Sequence, residues 1–343
     1  MSQRKKRFFK ISALAGCILL GVGLLMIGAG YVVMGMNLNA FTHPRGGAVA
    51  PITVGYPVDT VDAIEVHASM GSVTIQGSSS KDAQEVEVRA ACDSVYEVYV
   101  QNGILMVESL DTGTSDWQGG WNWFQMFHFY PEGDWDVVIT VPEKLLSSLY
   151  VEAGCGDITL MGLKAEKVTL DCSLGNVKLE EVSASKELTV AQSMGDVELE
   201  DCTGKELTLE NEMGAVTAAG CGFGKSSVTS SSGDVTLTDS TFESLTAETD
   251  LGSCILKEVA VDGLVECTAD MGDVELKRLK SLDISLTAEA GNITGTIQGV
   301  QEDYRITVET ELGVCNLTNQ ITGGRGELMA VTEMGDIDLK FTG

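Results

Sequence analysis

The sequence predicts an all-β fold, a β-solenoid or β-helix of about ten coils of ~20 residues each, preceded by one N-terminal transmembrane helix. Three observations lead to this prediction. A glycine-centred motif recurs ten times, apolar and polar residues alternate within every copy, and one long uncharged segment lies near the N-terminus. No stretch within the repeats shows the 3.6-residue periodicity of an amphipathic helix.

The repeat is marked by a glycine at intervals of 19 to 22 residues, and a typical copy reads Met-Gly-Asp-Val-Glu-Leu at residues 194–199. An eleventh copy, at residues 70–75, stands alone upstream. The repeat glycines are Gly156, Gly175, Gly195, Gly214, Gly233, Gly252, Gly272, Gly291, Gly313 and Gly335. We expect the copies at 151–343 to stack strand on strand as a solenoid about 50 Å long, at ~4.8 Å per coil.

Each copy has the period-two alternation of a strand with one buried face. Around the third copy, Leu188, Val190 and Gln192 precede the glycine on the predicted inward face, and Val197 and Leu199 follow it. A further inward position lies seven residues after the glycine. It is occupied by Leu163, Val182, Cys202, Cys221, Val259 and Leu279. Gly-Asp and Gly-Asn tolerate positive φ, which predicts a tight turn between the two strands of each coil.

The membrane segment is the 26-residue uncharged run at 11–36. At 1.5 Å per residue it exceeds the ~30 Å hydrocarbon core of a bilayer. The basic tail at 1–10 precedes it, so the positive-inside rule predicts a cytoplasmic N-terminus and an extracellular C-terminal domain. A second interpretation remains open, because Leu14-Ala15-Gly16-Cys17 matches a bacterial lipobox whose cysteine would be lipidated.

Two regions separate the membrane segment from the repeat array. Proline and glycine at 37–59 predict a juxtamembrane linker. Residues 60–150 predict an N-terminal β region, continuous with the solenoid, that contains an aromatic loop. Every tryptophan in the chain falls in this loop, and we assign it a candidate partner-binding role. Its aromatic residues are Trp117, Trp121, Trp123, Phe124, Phe127, Phe129, Tyr130 and Trp135. Such a cluster binds sugars, a lipid interface or a protein partner; alternatively it caps the open end of the solenoid.

Cysteines and turn residues each allow two interpretations. Cys172, Cys254, Cys267 and Cys315 occupy inward positions and are expected to pack as small apolar groups. Cys202 and Cys221 share one position in adjacent coils, within disulfide range if the coils stack at ~4.8 Å. Asp or Asn follows most repeat glycines, but the column is interrupted at Ala215, Ser253 and Val314. Turn geometry explains these residues, and calcium binding is the alternative.

Composition argues against several functional classes. The first 36 residues hold five of the 22 basic residues and none of the 50 acidic ones, so the remainder is strongly acidic. Such a surface repels nucleic acid. The three histidines, His43, His67 and His128, are scattered, and no Cys-x-x-Cys pair exists. We therefore predict no catalytic residue, no metal site and no cofactor.

Several segments together resemble a known family. These are the charged N-terminus with one membrane helix, the isolated SMGSVTI, and VVITVPEKLLSSLYVEAGCGDITL leading into Gly-Asp-Val-x-Leu coils. The chain resembles, over roughly 60–343, the bacterial adhesin-like β-strand-repeat family of unknown function. That family includes accessory proteins of Lia-type envelope-stress operons and is similar to autotransporter-adhesin head domains. The resemblance implies a β-solenoid at a bacterial cell surface and supplies no catalytic residues.

The sequence thus predicts a non-enzymatic cell-envelope protein, anchored in the membrane by its N-terminal helix. Its partner would be an envelope protein or a cell-wall component, bound in an adhesion-like or envelope-stress accessory role. The alternative is a polysaccharide-active β-helix enzyme. Such enzymes need long loops that carry acidic or basic catalytic groups, whereas the coils here differ in length by only three residues.

Overall fold

The computed structural model describes residues 51–80, 82–92, 95–110 and 135–343. Within these ranges the chain is all-β, with two short 3₁₀ turns at Val58–Thr60 and Gln301–Asp303. No helix in them has the length and apolarity that crossing a bilayer requires. The transmembrane helix predicted at 11–36 and most of the predicted linker lie outside the described residues.

Seven strands precede the regular array. They are β1 (Ile52–Pro57), β2 (Ala63–Met70), β3 (Val73–Gly77), β4 (Glu85–Ala90), β5 (Tyr96–Gln101), β6 (Ile104–Ser109) and β7 (Val137–Val141). β1 falls inside the range 37–59, where the sequence predicts a linker. It is a strand because it pairs antiparallel with β4.

In the array, a coil has a leading strand that ends before the glycine and a shorter trailing strand that begins after it. The coil of Gly313 is the exception, because only the isolated bridge from Cys315 to Ile337 follows its glycine. The strands are β8 (Leu145–Cys155), β9 (Ile158–Met161), β10 (Lys164–Leu174), β11 (Val177–Glu180), β12 (Ser183–Met194), β13 (Val197–Glu200), β14 (Thr203–Met213), β15 (Val216–Ala219), β16 (Gly222–Ser232), β17 (Val235–Thr238), β18 (Thr241–Leu251), β19 (Cys254–Lys257), β20 (Ala260–Val261), β21 (Leu264–Met271), β22 (Val274–Leu279), β23 (Asp283–Ala290), β24 (Ile293–Gln298), β25 (Tyr304–Leu312), β26 (Gly326–Met334) and β27 (Ile337–Thr342).

The strands form two sheets, and successive coils pair in parallel within each. The leading sheet has 14 strands and the trailing sheet has 13. The predicted inward residues are buried, including Leu188, Val190, Val197 and Leu199. The third inward column is buried as well, from Leu163 to Leu279. The register expected from the period-two alternation is therefore confirmed.

The turn at each repeat glycine is closed by contact with the preceding coil. Gly175, Gly195, Gly214 and Gly233 have φ between 136° and 146°. A Cβ built on Gly195 would overlap the carbonyl oxygen of Gly175, and the same overlap recurs along the array. Glycine is required here for two reasons, the backbone conformation and the space between coils.

A second corner lies six residues after each of the first seven repeat glycines, in left-handed backbone conformation. Its residues are Gly162, Glu181, Asp201, Gly220, Asp239, Glu258 and Arg278, with φ between 50° and 65°. Most are not glycine, and a Cβ built on Gly162 has no atom within 4 Å, whereas one built on Gly220 would overlap the side-chain Oδ1 of Asp201. At Gly162 a side chain therefore bears only the conformational cost of the left-handed region.

Stacking order departs from chain order at both ends. The isolated copy at Gly71, formed by β2 and β3, packs directly against the coil of Gly156, and β6 and β7 form a further coil outside it. At the other end, the coil of Gly335 is inserted between those of Gly291 and Gly313. The coils therefore follow chain order only from the coil of Gly156 to that of Gly291.

The N-terminal end of the solenoid is closed by antiparallel pairing. β4 pairs with β7 and β1 pairs with β4, while β5 pairs with β6. These strands cover the outermost coil, so its backbone groups are not presented to another chain.

The cysteines are arranged differently from the sequence-based expectation. Cys254 and Cys267 form a disulfide between the trailing and leading sheets, with their Cα atoms 6.7 Å apart. Cys202 and Cys221 are buried and free. The bridge considered for them is therefore absent, and the interpretation of Cys254 and Cys267 as free packing residues is wrong. Burial raises the pKa of the Cys172 thiol to about 11, so this side chain packs in its neutral form.

Two glycine substitutions distinguish the cost of the backbone conformation from the cost of overlap between neighbouring coils. We expect Gly195→Ala to destabilise the fold by roughly 2–4 kcal/mol, because backbone strain adds to displacement of the Gly175 carbonyl. Gly162→Ala has the strain but not the overlap, so it should cost about 1 kcal/mol. Urea denaturation of both variants gives the comparison. Equal shifts in the midpoint would show that contact between coils is not the governing constraint.

Candidate functional site: the glycine corner

The glycine corner comprises, in every coil, the residues from two before to one after the repeat glycine. A buried polar column lies beneath it, at the position three residues before the glycine, which is polar in six of the ten repeats and is Ala153, Cys172, Ala269 or Ala288 in the others. Several of its members donate hydrogen bonds to the glycine carbonyl of the neighbouring coil. They are Gln192 to Gly175, Asn211 to Gly195, Ser230 to Gly214, Thr249 to Gly233, Thr332 to Gly291 and Thr310 to Gly335. The strand alternation requires an inward residue here, and the carbonyl requires a donor.

A second column follows the glycines on the outer side. The Oδ1 atom of Asp157 accepts a hydrogen bond from the backbone N–H of Asn176 at 2.7 Å, and Asn176 Oδ1 accepts from Asp196 at 3.0 Å. The same link runs from Asp273 to Asn292 and from Asn292 to Asp336. Turn geometry therefore accounts for these side chains. No group of three or more potential metal ligands occurs among the described residues.

The column is more continuous than the sequence suggests. Ser253 does not interrupt it, because Ser253 Oγ accepts from the backbone N–H of Asp273 at 3.4 Å. Val314 lies in the last coil at the other end of the stack, where its N–H donates to Asp336 Oδ1 at 2.7 Å. Ala215 has no side-chain acceptor and is the true interruption in the array.

The coil formed by β6 and β7 has Trp135 and Asp136 at its glycine corner. β6 ends at Ser109 and β7 begins at Val137, and residues 111–134 between them lie outside the described residues. Asp136 takes the usual aspartate position, since its Oδ1 accepts from the N–H of Ser72 at 2.8 Å. Trp135 therefore stands where the other coils have glycine. Of the eight predicted binding aromatics, only Trp135 is described, and the other seven lie outside the described residues.

Tyr96 anchors the backbone at Trp135. Its hydroxyl oxygen lies 2.7 Å from the carbonyl oxygen of Met70 and 2.9 Å from that of Trp135. Burial raises the pKa of Tyr96, and the negative charge of Asp136 raises it further. The hydroxyl thus remains a donor shared between the two carbonyl groups. Alternation in β5 alone gave no reason to single out this residue.

An apolar stripe runs along the glycine corner, formed by the residues immediately before the glycines. Its members are Leu174, Met194, Met213, Leu251, Met271, Met334 and Leu312, each between 43% and 69% exposed. Leu174 is in register with Met194, Met194 with Met213, and Leu251 with Met271. Ser232 and Ala290 occupy the same position in the intervening coils. Exposed large apolar residues aligned in one column, even with these two interruptions, mark an interaction surface.

The charge at this corner has one sign. No Lys or Arg occurs within two residues of any of the eleven glycines. Acidic residues flank the stripe in its second half, at Glu212, Asp250, Asp270, Glu289 and Glu333. The lysines lie on other faces, in cross-coil ion pairs such as Lys167–Glu187 at 2.9 Å and Lys178–Glu198 at 3.5 Å. The described ion pairs leave these five corner carboxylates without a cationic partner.

The described residues do not assemble a nucleophile, a base and an oxyanion site. His67 contacts Glu152 on the outer face, with Nδ1 to Oε2 at 2.8 Å. A groove between Ser78–Ser80 and Glu85 is open and polar. The glycine corner is suited to binding through side chains instead, because its backbone is engaged between coils. The repeat spacing was sufficient to find the stripe, which is simply the residue before each glycine, yet sequence reasoning missed it.

Tyr96→Phe tests the anchoring of the backbone at Met70 and Trp135. Removing the hydroxyl leaves the carbonyl groups of Met70 and Trp135 without their shared donor, and we expect a loss of about 1–2 kcal/mol. The measurement is the urea unfolding midpoint. Tyr99→Phe is the matched control, since the Tyr99 hydroxyl pairs at 3.3 Å with Glu108 at the surface. The assigned role is wrong if the Tyr99 variant loses as much stability as the Tyr96 variant.

Comparison with known proteins gives structural likeness and a family. No curated protein matches the sequence. A solved structure described as a lipid binding protein, from Parabacteroides distasonis, is 13% identical with a TM-score of 0.47, over 87% of this chain and 100% of that one. A candidate adhesin from Bacteroides fragilis is 14% identical with a TM-score of 0.32, over 87% and 100%. A candidate adhesin from Parabacteroides merdae is 15% identical with a TM-score of 0.38, over 86% and 98%.

The family model matches most of the chain. It extends over residues 61–340, which includes the Gly71 coil, the coil of β6 and β7, and the repeat array as far as the last strand, β27. The resemblance to an adhesin-like β-repeat family is thereby confirmed: the chain belongs to the Toastrack DUF4097 family.

Proposed function

We propose that this protein is a non-enzymatic, membrane-anchored component of the bacterial cell envelope whose solenoid binds a partner. The observation that supports this most directly is the apolar stripe, which keeps seven large side chains in water along one corner of the coils. Such exposure lowers solubility unless the surface is covered by a partner in use. The partner would be an envelope protein or a cell-wall component.

The anchor and the topology follow from the N-terminal sequence. The uncharged run at 11–36 would cross the membrane, with the basic tail at 1–10 in the cytoplasm. The solenoid would then lie outside the cell. An accessory role in envelope stress rests on the resemblance to Lia-type proteins.

The polysaccharide-active enzyme is the less favoured alternative. The corners of the array are tight turns, and coil length varies from 19 to 22 residues. A glycosidase or lyase needs a cleft lined by catalytic groups. Tight turns of this kind do not provide such a cleft.

Cysteine labelling on intact cells tests the topology. In a background where Cys92, Cys155 and Cys315 are changed to Ser, Glu198→Cys places a thiol on an exposed position of β13. We expect a membrane-impermeant maleimide to label it without permeabilisation. Val197→Cys, one residue away and buried, should stay unlabelled until the protein is denatured. Labelling of Glu198→Cys only after permeabilisation would contradict an external solenoid.

Capture of envelope material tests the aromatic segment. Aromatic anchors usually concentrate binding energy, so the double variant Trp121→Ala/Trp123→Ala should lose most of the captured material in a pull-down with the full chain. Met194→Gln/Met213→Gln, in the apolar stripe, should show a comparable loss. If both variants retain capture with unchanged melting temperatures, neither surface is the binding site. If only the tryptophan variant melts several degrees lower and still captures, the segment is a cap.

A further inference from the structure

We propose that the glycine corner is a docking surface for a basic amphipathic helix, whose apolar side chains lie on the stripe and whose Lys or Arg residues face the flanking acids. This inference rests on the proposed binding function and specifies the chemistry of the partner.

The stripe is aligned along the array. Leu174, Met194 and Met213 are in register through neighbouring coils, and after Ser232 the column continues through Leu251, Met271, Ala290, Met334 and Leu312. Its seven Leu and Met side chains are long and unbranched at Cβ, so they adjust to the shape of a partner. With coils ~4.8 Å apart, the column from Leu174 to Leu312 spans about 38 Å.

The glycine corner also lacks cationic side chains, since no Lys or Arg lies within two residues of a repeat glycine. The flanking acids Glu212, Asp250, Glu289 and Glu333 are exposed, and they follow the stripe on one side. Asp196, Asp234 and Asp336 follow it on the other side. Each accepts a backbone hydrogen bond through Oδ1, which leaves its second oxygen and its charge available to a partner. A ligand that lies on the stripe therefore meets carboxylates on both sides, which favours a cationic partner.

The backbone of the corner argues for a helix rather than an added strand. The N–H of Gly175 donates to the carbonyl of Met194, and that of Gly195 donates to Met213. The next N–H along the chain is bound by the aspartate column. The corner thus offers no row of free backbone groups for strand addition. A helix satisfies its own backbone, and its ~5.4 Å pitch lies close to the coil spacing, whereas one face of a strand repeats at ~6.8 Å.

Charge also decides against two other occupants. A second copy would bring its own acidic flanks against these acids, which repel at close range. An anionic lipid surface is disfavoured for the same reason. A neutral bilayer would take the stripe but gain nothing from the carboxylates. Only a basic amphipathic segment matches both the stripe and its borders.

The experiment measures fluorescence anisotropy of a labelled helical peptide with the full chain in neutral-lipid nanodiscs. The peptide has about 21 residues, with Leu at helical i, i+3, i+4, i+7 spacing and Lys elsewhere, so it is about 31 Å long. Empty nanodiscs provide the blank. We expect saturable binding that weakens as salt rises, and none above the blank for a scrambled peptide or one with Glu in place of Lys. Equal binding of the Glu peptide overturns the proposal.

Two pairs of variants locate the binding. Met194→Gln/Met213→Gln should weaken binding at least tenfold, while Leu264→Gln/Met329→Gln, exposed apolar residues on the outer face of leading strands, should not change it. Asp250→Asn/Asp270→Asn should weaken binding several-fold and flatten its salt dependence, while Asp262→Asn/Asp283→Asn should not. Wild-type binding by the Met194/Met213 variant overturns the proposal.

The remaining outcomes identify a different occupant. If sedimentation shows a dimer that Met194→Gln/Met213→Gln converts to a monomer, the stripe binds a second copy and the proposal is wrong. If neutral vesicles bind through the stripe, the partner is a bilayer and the proposal is wrong. If the Leu–Lys peptide does not bind but the stripe variant still loses capture of envelope material, the inference fails while the proposed function stands.

Discussion

The close approach of successive glycine turns is the constraint on which the rest of the structure depends. A Cβ on a repeat glycine would overlap the glycine carbonyl of the preceding coil, so the corner packs only when each coil has glycine there. That approach sets the register of both sheets. It also places the glycine carbonyl toward the interior, where in six coils a Gln, Asn, Ser or Thr side chain of the next coil supplies the donor. The inner polar column therefore compensates for the burial of the glycine carbonyls, because a buried carbonyl without a donor is costly.

The same constraint explains what repeat counting missed at the N-terminal end. Residues 135–141 continue the pattern, with Trp135 in place of glycine and Asp136 in the aspartate position. Each glycine must avoid the coil that precedes it in the stack, and no coil precedes this one among the described residues. A side chain is therefore tolerated at Trp135, although Gly71 in the next coil must remain glycine because its Cβ would overlap the Trp135 carbonyl. This coil therefore lacks the glycine by which the other coils are recognised in the sequence.

Local periodicity predicted the solenoid, the inward positions and the turns, since each depends on neighbours in sequence or on the coil one period away. Stacking order at the ends, the insertion of the Gly335 coil and the Cys254–Cys267 disulfide depend on contacts that the period does not encode. The disulfide links positions of the two sheets that face each other across the interior. Adjacency in one column favoured Cys202 and Cys221 instead. The stripe was not predicted, because it lies within the repeat itself. The aromatic loop stays a prediction, since seven of its eight aromatic residues lie outside the described residues.

The two corners of the solenoid differ in the residues that they tolerate, and this difference makes one corner charged and the other apolar. The left-handed corner has free space, so it accepts Glu181, Asp201 or Arg278 at a modest conformational cost. Cross-coil ion pairs such as Arg278–Glu258 lie there. The glycine corner has its backbone donors bound and its interior filled, so only the residues beside each glycine are free to vary. Stability alone would be served by polar residues at those exposed positions, because Met or Leu in water contributes nothing to the core. Methionine or leucine nevertheless recurs there in seven coils, bordered by unpaired acids. The cost in solubility is offset only if the corner is covered in use, which is why the glycine corner, and not the charged corner, is the surface on which we place the partner.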